Sequence, residues 1–115
     1  MTDTRLVEQI ERDSGQSAAV VTEKMERRAP ALFARFPDTG RARCLEDTRF
    51  HLEHLAAALD LDDPDLFADY RAWLVGLLAV RGIGTEDVEL NFAIIGETLT
   101  ARYGEGAAAA VSLLS

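Results

Sequence analysis

Residues 62–99 read DDPDLFADYRAWLVGLLAVRGIGTEDVELNFAIIGETL, and the way this stretch divides decides the fold. Asp63 stands before Pro64, a pairing that suits a helix N-cap and the first helical position. Asp65 follows where the positive end of the helix dipole favours a carboxylate. The pattern then keeps a helical period to about Arg81, where Gly82 and Gly84 interrupt it. Thr85 reads as the next cap, with Glu86 and Asp87 in the first turn, and a second helix runs to about Tyr103, before the GEG of 104–106. At 100° per residue the first helix gathers Leu66, Phe67, Tyr70, Trp73, Leu74, Leu77, Leu78 and Val80 within roughly 160°, a core face. Ala68, Ala72, Gly76 and Ala79 lie on its other side, where small residues either admit a second helix or simply suit solvent. The second helix carries one stripe of Val88, Phe92, Ile95, Leu99 and Tyr103 and another of Leu90, Ile94 and Ala101. Either that helix is central, or its second stripe meets a partner, most simply another copy of the chain.

The preceding segment, CLEDTRFHLEHLAAAL (44–59), belongs to a helix expected from about Arg41 to Leu59. Leu45, Leu52, Leu55, Ala56 and Leu59 share its core arc, with Cys44 and His51 at one edge. Asp47 and His54 fall nearer solvent, and Phe50 points away from the core. Farther back, TDTRLVEQIERDSG (2–15) offers Thr2, Asp3 and Thr4 as caps and Leu6, Val7 and Ile10 as an apolar face. QSAAVVTEKMERRA (16–29) adds Ala18, Val21 and Met25. Gly15 between them either breaks the helix or weakens one long helix by ~1 kcal/mol. PALFARF (30–36) reads as a short helix with Pro30 in its first turn, projecting Leu32, Phe33 and Phe36, and PDTG (37–40) as a turn. AAAAVSLL (107–114) is a last short helix or an apolar tail. No strand-like alternation survives this partition, so the expected fold is all-α, a helical bundle of about five helices in a single domain over residues 1–115.

Composition narrows the function. A chain of 115 residues, 48% hydrophobic and 28% charged, is one globular domain. A net charge of −8 argues against nucleic acid, whose phosphates require clustered Lys and Arg. The single cysteine cannot close an internal disulfide, and the first ten residues, MTDTRLVEQI, are too polar and mixed for a signal peptide. The longest apolar run, AWLVGLLAV (72–80), falls far short of the ~20 residues that span a bilayer. A cytoplasmic protein with no membrane association is expected.

The residues with chemical potential cluster on one helix. Cys44, Asp47 and His51 are each competent metal ligands, yet the rest of the chain has no other Cys, and His54 is the only other His. Asp47 and His51, at i and i+4, more simply suit a side-chain contact along the helix. No metal or cofactor is expected. RGIGTED (81–87) lacks the Lys of a phosphate loop, and Cys44 has no dedicated base, so no enzymatic mechanism is suggested. If the cluster binds anything, it is a ligand held among Cys44, Asp47, His51, Tyr70 and Trp73.

The run from Cys44 to Leu99, with its Asp-x-x-x-His, its DPDLFADYRAWL entry and its RGI, resembles the small helical modules at the N-termini of bacterial sensory and regulatory proteins. These include co-antagonists of stress signalling and regulators that carry a cobalamin-binding domain. The resemblance covers about half the chain. It implies a dimerising sensor or interaction module; ending at Ser115, this chain would be a stand-alone one. APALFARFPD (29–38) followed by a His-bearing helix is also similar to the middle of a globin, although no histidine after His54 supplies a proximal haem ligand. The expectation is therefore a helical sensor or protein-interaction module of bacterial signalling. It would act as a homodimer through Phe50, Ala68, Ala72, Gly76, Leu90 and Ile94, with a further protein partner encoded nearby. The alternative is a ligand- or metal-binding carrier domain that uses the Cys44, Asp47 and His51 cluster.

Overall fold

A computed structural model describes residues 4–115. Thr2 and Asp3, two of the expected first caps, lie outside the described residues, and Thr4 is the first helical residue. The elements follow one another as α1 (Thr4–Arg28), α2 (Pro30–Ala34), α3 (Gly40–Asp60), α4 (Pro64–Val80), α5 (Thr85–Tyr103), a 3₁₀ turn over Gly104–Ala107, and α6 (Ala108–Leu114). Every regular element among the described residues is helical, as the sequence pattern anticipates.

Gly15 leaves α1 unbroken. A glycine in mid-helix costs ~1 kcal/mol, whereas α1 buries Leu6, Val7 and Ile10 before it and Ala18, Val21 and Met25 after it. Packing of both halves on the same neighbours outweighs the local preference. α1 lies chiefly against α3 and then α5, while α4 leans on α3 and α6 returns over α5. Tyr103, at the end of α5, donates its hydroxyl hydrogen to Asp13 Oδ2 on α1 at 2.6 Å. Arg12 and that hydroxyl together hold the Asp13 carboxyl well below the usual carboxylate range.

The boundaries of α4 have local causes. Asp63 Oδ1 accepts from Leu66 N at 3.3 Å, with Pro64 in the first turn. Asp63→Ala should lower the free energy of urea unfolding by about 1 kcal/mol, and an unchanged midpoint would show that this cap contributes nothing. At the far end Gly82 takes φ 81°, and the amides of Gly82 and Ile83 bond back to Ala79 O and Leu78 O. Arg35 Nη2 donates to Gly82 O at 2.6 Å, so the α2 segment is tied to the α4–α5 turn. A Cβ at position 82 would stand 2.9 Å from that nitrogen. Thr85 proves to be the first helical residue of α5 rather than its cap; Gly84 occupies the cap position and no side chain bonds there.

Two core assignments need correction. Leu66, Trp73 and Val80 do not join the core of α4: Trp73 is 60% exposed and Val80 87%. Only Phe67, Tyr70, Leu74 and Leu78 of that helix are buried, because α4 touches α3 along one narrow edge and meets α5 and α6 only slightly. Leu45 on α3 is likewise exposed.

α5 is the central helix, although of its second stripe only Ile94 is buried, Leu90 being half-buried and Ala101 exposed. Its buried residues, Val88, Asn91, Phe92, Ile94, Ile95, Gly96, Thr98 and Leu99, span roughly 200° of its circumference. Lys24 of α1 reaches Thr98 Oγ1 on one flank, and Val111 and Leu114 of α6 close over Gly96 on the other. Ile94, expected on a partner surface, is 0% exposed within the single chain and offers a partner nothing. Leu90, expected there too, is half-buried and packs against the core.

Candidate functional site

α3 carries the candidate cluster because its turns bring Cys44, Thr48 and His51 to one side, facing α1, α4 and the start of α5. Between these helices and the α2 segment lies a mostly apolar cavity of about 100 Å³. Met25 of α1, Phe33 of α2, Leu78 of α4 and Val88 of α5 supply hydrocarbon, and Arg43, Arg81, Asp47 and Asp87 supply charge. Three of the five expected ligand residues, Cys44, Asp47 and His51, line it together.

Tyr70 and Trp73 line a separate, broader groove between α3 and α4, along with Phe50, His54 and Leu66. Asp47 and His51 border both spaces and form the wall between them. The structure thus divides the expected five-residue set: Tyr70 and Trp73 belong to the outer groove alone, and Cys44 to the cavity alone.

The expected Asp47–His51 contact is replaced by one between helices. His51 Nδ1 pairs with the Tyr70 hydroxyl at 2.7 Å, linking α3 to α4. The His51 ring meets Phe92 edge-on at 5.2 Å, and His54 stacks on Tyr70 at 3.9 Å. Burial drives His51 down to about 4, with a smaller contribution from His54, so the imidazole is neutral at pH 7. Burial also raises the Tyr70 phenol, the Asp47 carboxyl and the Cys44 thiol. A thiol raised in this way is a poor nucleophile. Among the described residues no group of three or more His, Cys, Asp and Glu side chains is placed to hold a metal.

Asn91 and Thr48 are the site residues that the sequence pattern did not single out. Asn91 is 8% exposed and lines the cavity; its Nδ2 donates to Thr48 Oγ1 at 3.4 Å, while its Oδ1 has no partner. The available signal was positional: residue 91 falls three after Val88 and four before Ile95, an amide on the core stripe itself.

Among the described residues no helix is long and apolar enough to cross a membrane. No family model matches the chain, and neither does any curated protein or solved structure.

Proposed function

We propose that this protein is a small helical interaction module of regulatory character that pairs with a second copy of itself through the α3–α4 face. The observation that carries this reading is the line of Leu66, Trp73 and Val80, spaced seven residues apart and all exposed. Heptad spacing is the pattern by which one helix lies along another. Gly76 and Ala72, both exposed and both expected at an interface, leave room beside Trp73 for a close approach. Phe50, 46% exposed, extends the apolar surface across the groove onto α3. Ala68, the remaining expected contact on α4, is exposed but lies farther round the helix.

A second copy is favoured over an unrelated partner by the charge along this face. Its one end carries Asp62, Asp63, Asp65 and Asp69 around the start of α4, and its other end carries Arg43 and Arg81. A two-fold axis near Trp73 sets the acidic end of one copy against the arginines of the other, with Leu66 beside Val80. Light scattering coupled to size exclusion, at roughly tens of micromolar protein, should give twice the 12.6 kDa chain mass. Trp73→Glu should return it to a monomer with its helical circular dichroism retained. A wild-type chain that runs as a monomer throughout that range contradicts the proposal.

A further inference from the structure

We infer that the pocket between α1, α2, α3 and α5 binds a free aliphatic amino acid of about leucine's size, its side chain inside and its ammonium and carboxylate at the mouth. The inference shares Arg43 and Arg81 with the pairing proposed above but does not rest on it. Three observations meet at this place: an apolar interior of limited volume, a mouth open to water, and charges of both signs around that mouth without bonded partners.

The interior sets the side chain. Met25, Leu78 and Val88 are buried and form the floor, and the half-buried Leu32, Phe33 and Ile83 form the sides. The space measures about 100 Å³. Engineered apolar cavities of about 150 Å³ take up benzene, so in proportion this one suits roughly four carbons, the size of an isobutyl group. Burying such a group is favourable in proportion to the hydrocarbon area removed from water.

The mouth sets the rest of the molecule. Arg43 of α3 and Arg81 at the end of α4 are exposed there, and Asp47 of α3 and Asp87 of α5 are half-buried beside them. Among the described residues none of these four side chains has a hydrogen bond or an ion pair. Asp47 feels the charge of both arginines, yet burial outweighs them and raises its carboxyl. A purely anionic ligand would meet Asp47 and Asp87, and a purely cationic one would meet Arg43 and Arg81, each with like-charge repulsion. A zwitterion satisfies both signs. Its carboxylate lies against the guanidinium groups and its ammonium against the aspartates, so charges left without partners by the fold gain charge-assisted hydrogen bonds. Because the mouth is open, the ligand's charged end keeps part of its hydration, which limits the cost of desolvation.

Leucine, isoamylamine, isocaproate and glycine separate the contributions: the second lacks the carboxylate, the third the ammonium and the fourth the side chain. Titration of the whole chain with leucine, followed by amide chemical shifts, should give saturable changes at Leu32, Ile83 and Val88, with Kd in roughly the millimolar range or tighter. Those residues lie outside the α3–α4 groove, so dissociation of a paired chain does not imitate the signal. Each of the other three probes should bind at least about tenfold more weakly, the worth of a charged hydrogen bond or of the buried hydrocarbon. In Arg43→Gln combined with Arg81→Gln the leucine-to-isoamylamine affinity ratio should fall about tenfold. In Asp47→Asn combined with Asp87→Asn the leucine-to-isocaproate ratio should fall by about the same factor. The two arginines are exposed, so their replacement keeps the fold and serves on its own if the aspartate variant does not fold. Absence of saturable shifts with leucine overturns the site. Glycine binding as tightly as leucine overturns the part given to the apolar interior. Isoamylamine or isocaproate binding as tightly as leucine, or ratios unchanged in the folded variants, overturns the assignment of the ligand class.

Discussion

Ile94→Glu should unfold the protein rather than free a subunit. Ile94 is wholly buried in α5, so a carboxylate there has neither water nor a cation to stabilise it. The expected loss exceeds about 4 kcal/mol, comparable with the entire stability of many small domains. Circular dichroism should show the helical signal collapsed or the melting transition displaced to far lower temperature. Trp73→Glu, the same chemistry on an exposed residue of α4, should leave that signal in place. The pair distinguishes core from interface: if Ile94→Glu stays folded and merely dissociates, α5 carries its second stripe outward and the central position assigned to it is wrong.

The second large effect is a loss of stability on mild acidification. His51 is held at about 4 in the folded chain, against 6.5 for the free group. The unfolded chain therefore binds this proton first, and folding becomes less favourable as pH falls from about 6.5 toward about 4. The whole interval corresponds to about 3 kcal/mol, fully lost once the pH is below both values. Protonation would place a cation between Phe92 and Tyr70, with His54 adding repulsion. Asp47, raised by burial, acts in the opposite sense, because its folded form takes up a proton before the unfolded one does. Asp13, held low, matters only below its free value of 3.8. Urea unfolding at pH 7, 5.5 and 4 should show the decline, and His51→Gln should remove most of it. A wild-type stability that is flat across this interval would mean that the imidazole is solvated and not enclosed.

Much of the fold was legible before any coordinates. The acidic and prolyl start of α4, the glycines after it and the helical period on both sides are local features, and local chemistry acts the same way in any tertiary setting. The grouping of Cys44, Asp47 and His51 was legible for the same reason, since residues at i, i+3 and i+7 share a side of any helix. Asn91 was not. A lone amide on an apolar stripe looks like an interruption until the space in front of it is seen, and that space is bounded by Met25 and Phe33, more than fifty residues earlier in the chain.

The sequence by itself determined that this protein is all helical, where α4 begins and ends, and which residues each helix groups on a side, because capping, glycine punctuation and periodicity are properties of a few neighbouring residues. Only the tertiary structure decided which of those sides are covered. α1 and α6 close over two flanks of α5 and bury Ile94, whereas α4 meets α3 along one edge and leaves Trp73 in solvent. Periodicity describes a helix as a cylinder with sides, and burial depends on where the other cylinders lie, which is settled by packing between residues far apart in the chain.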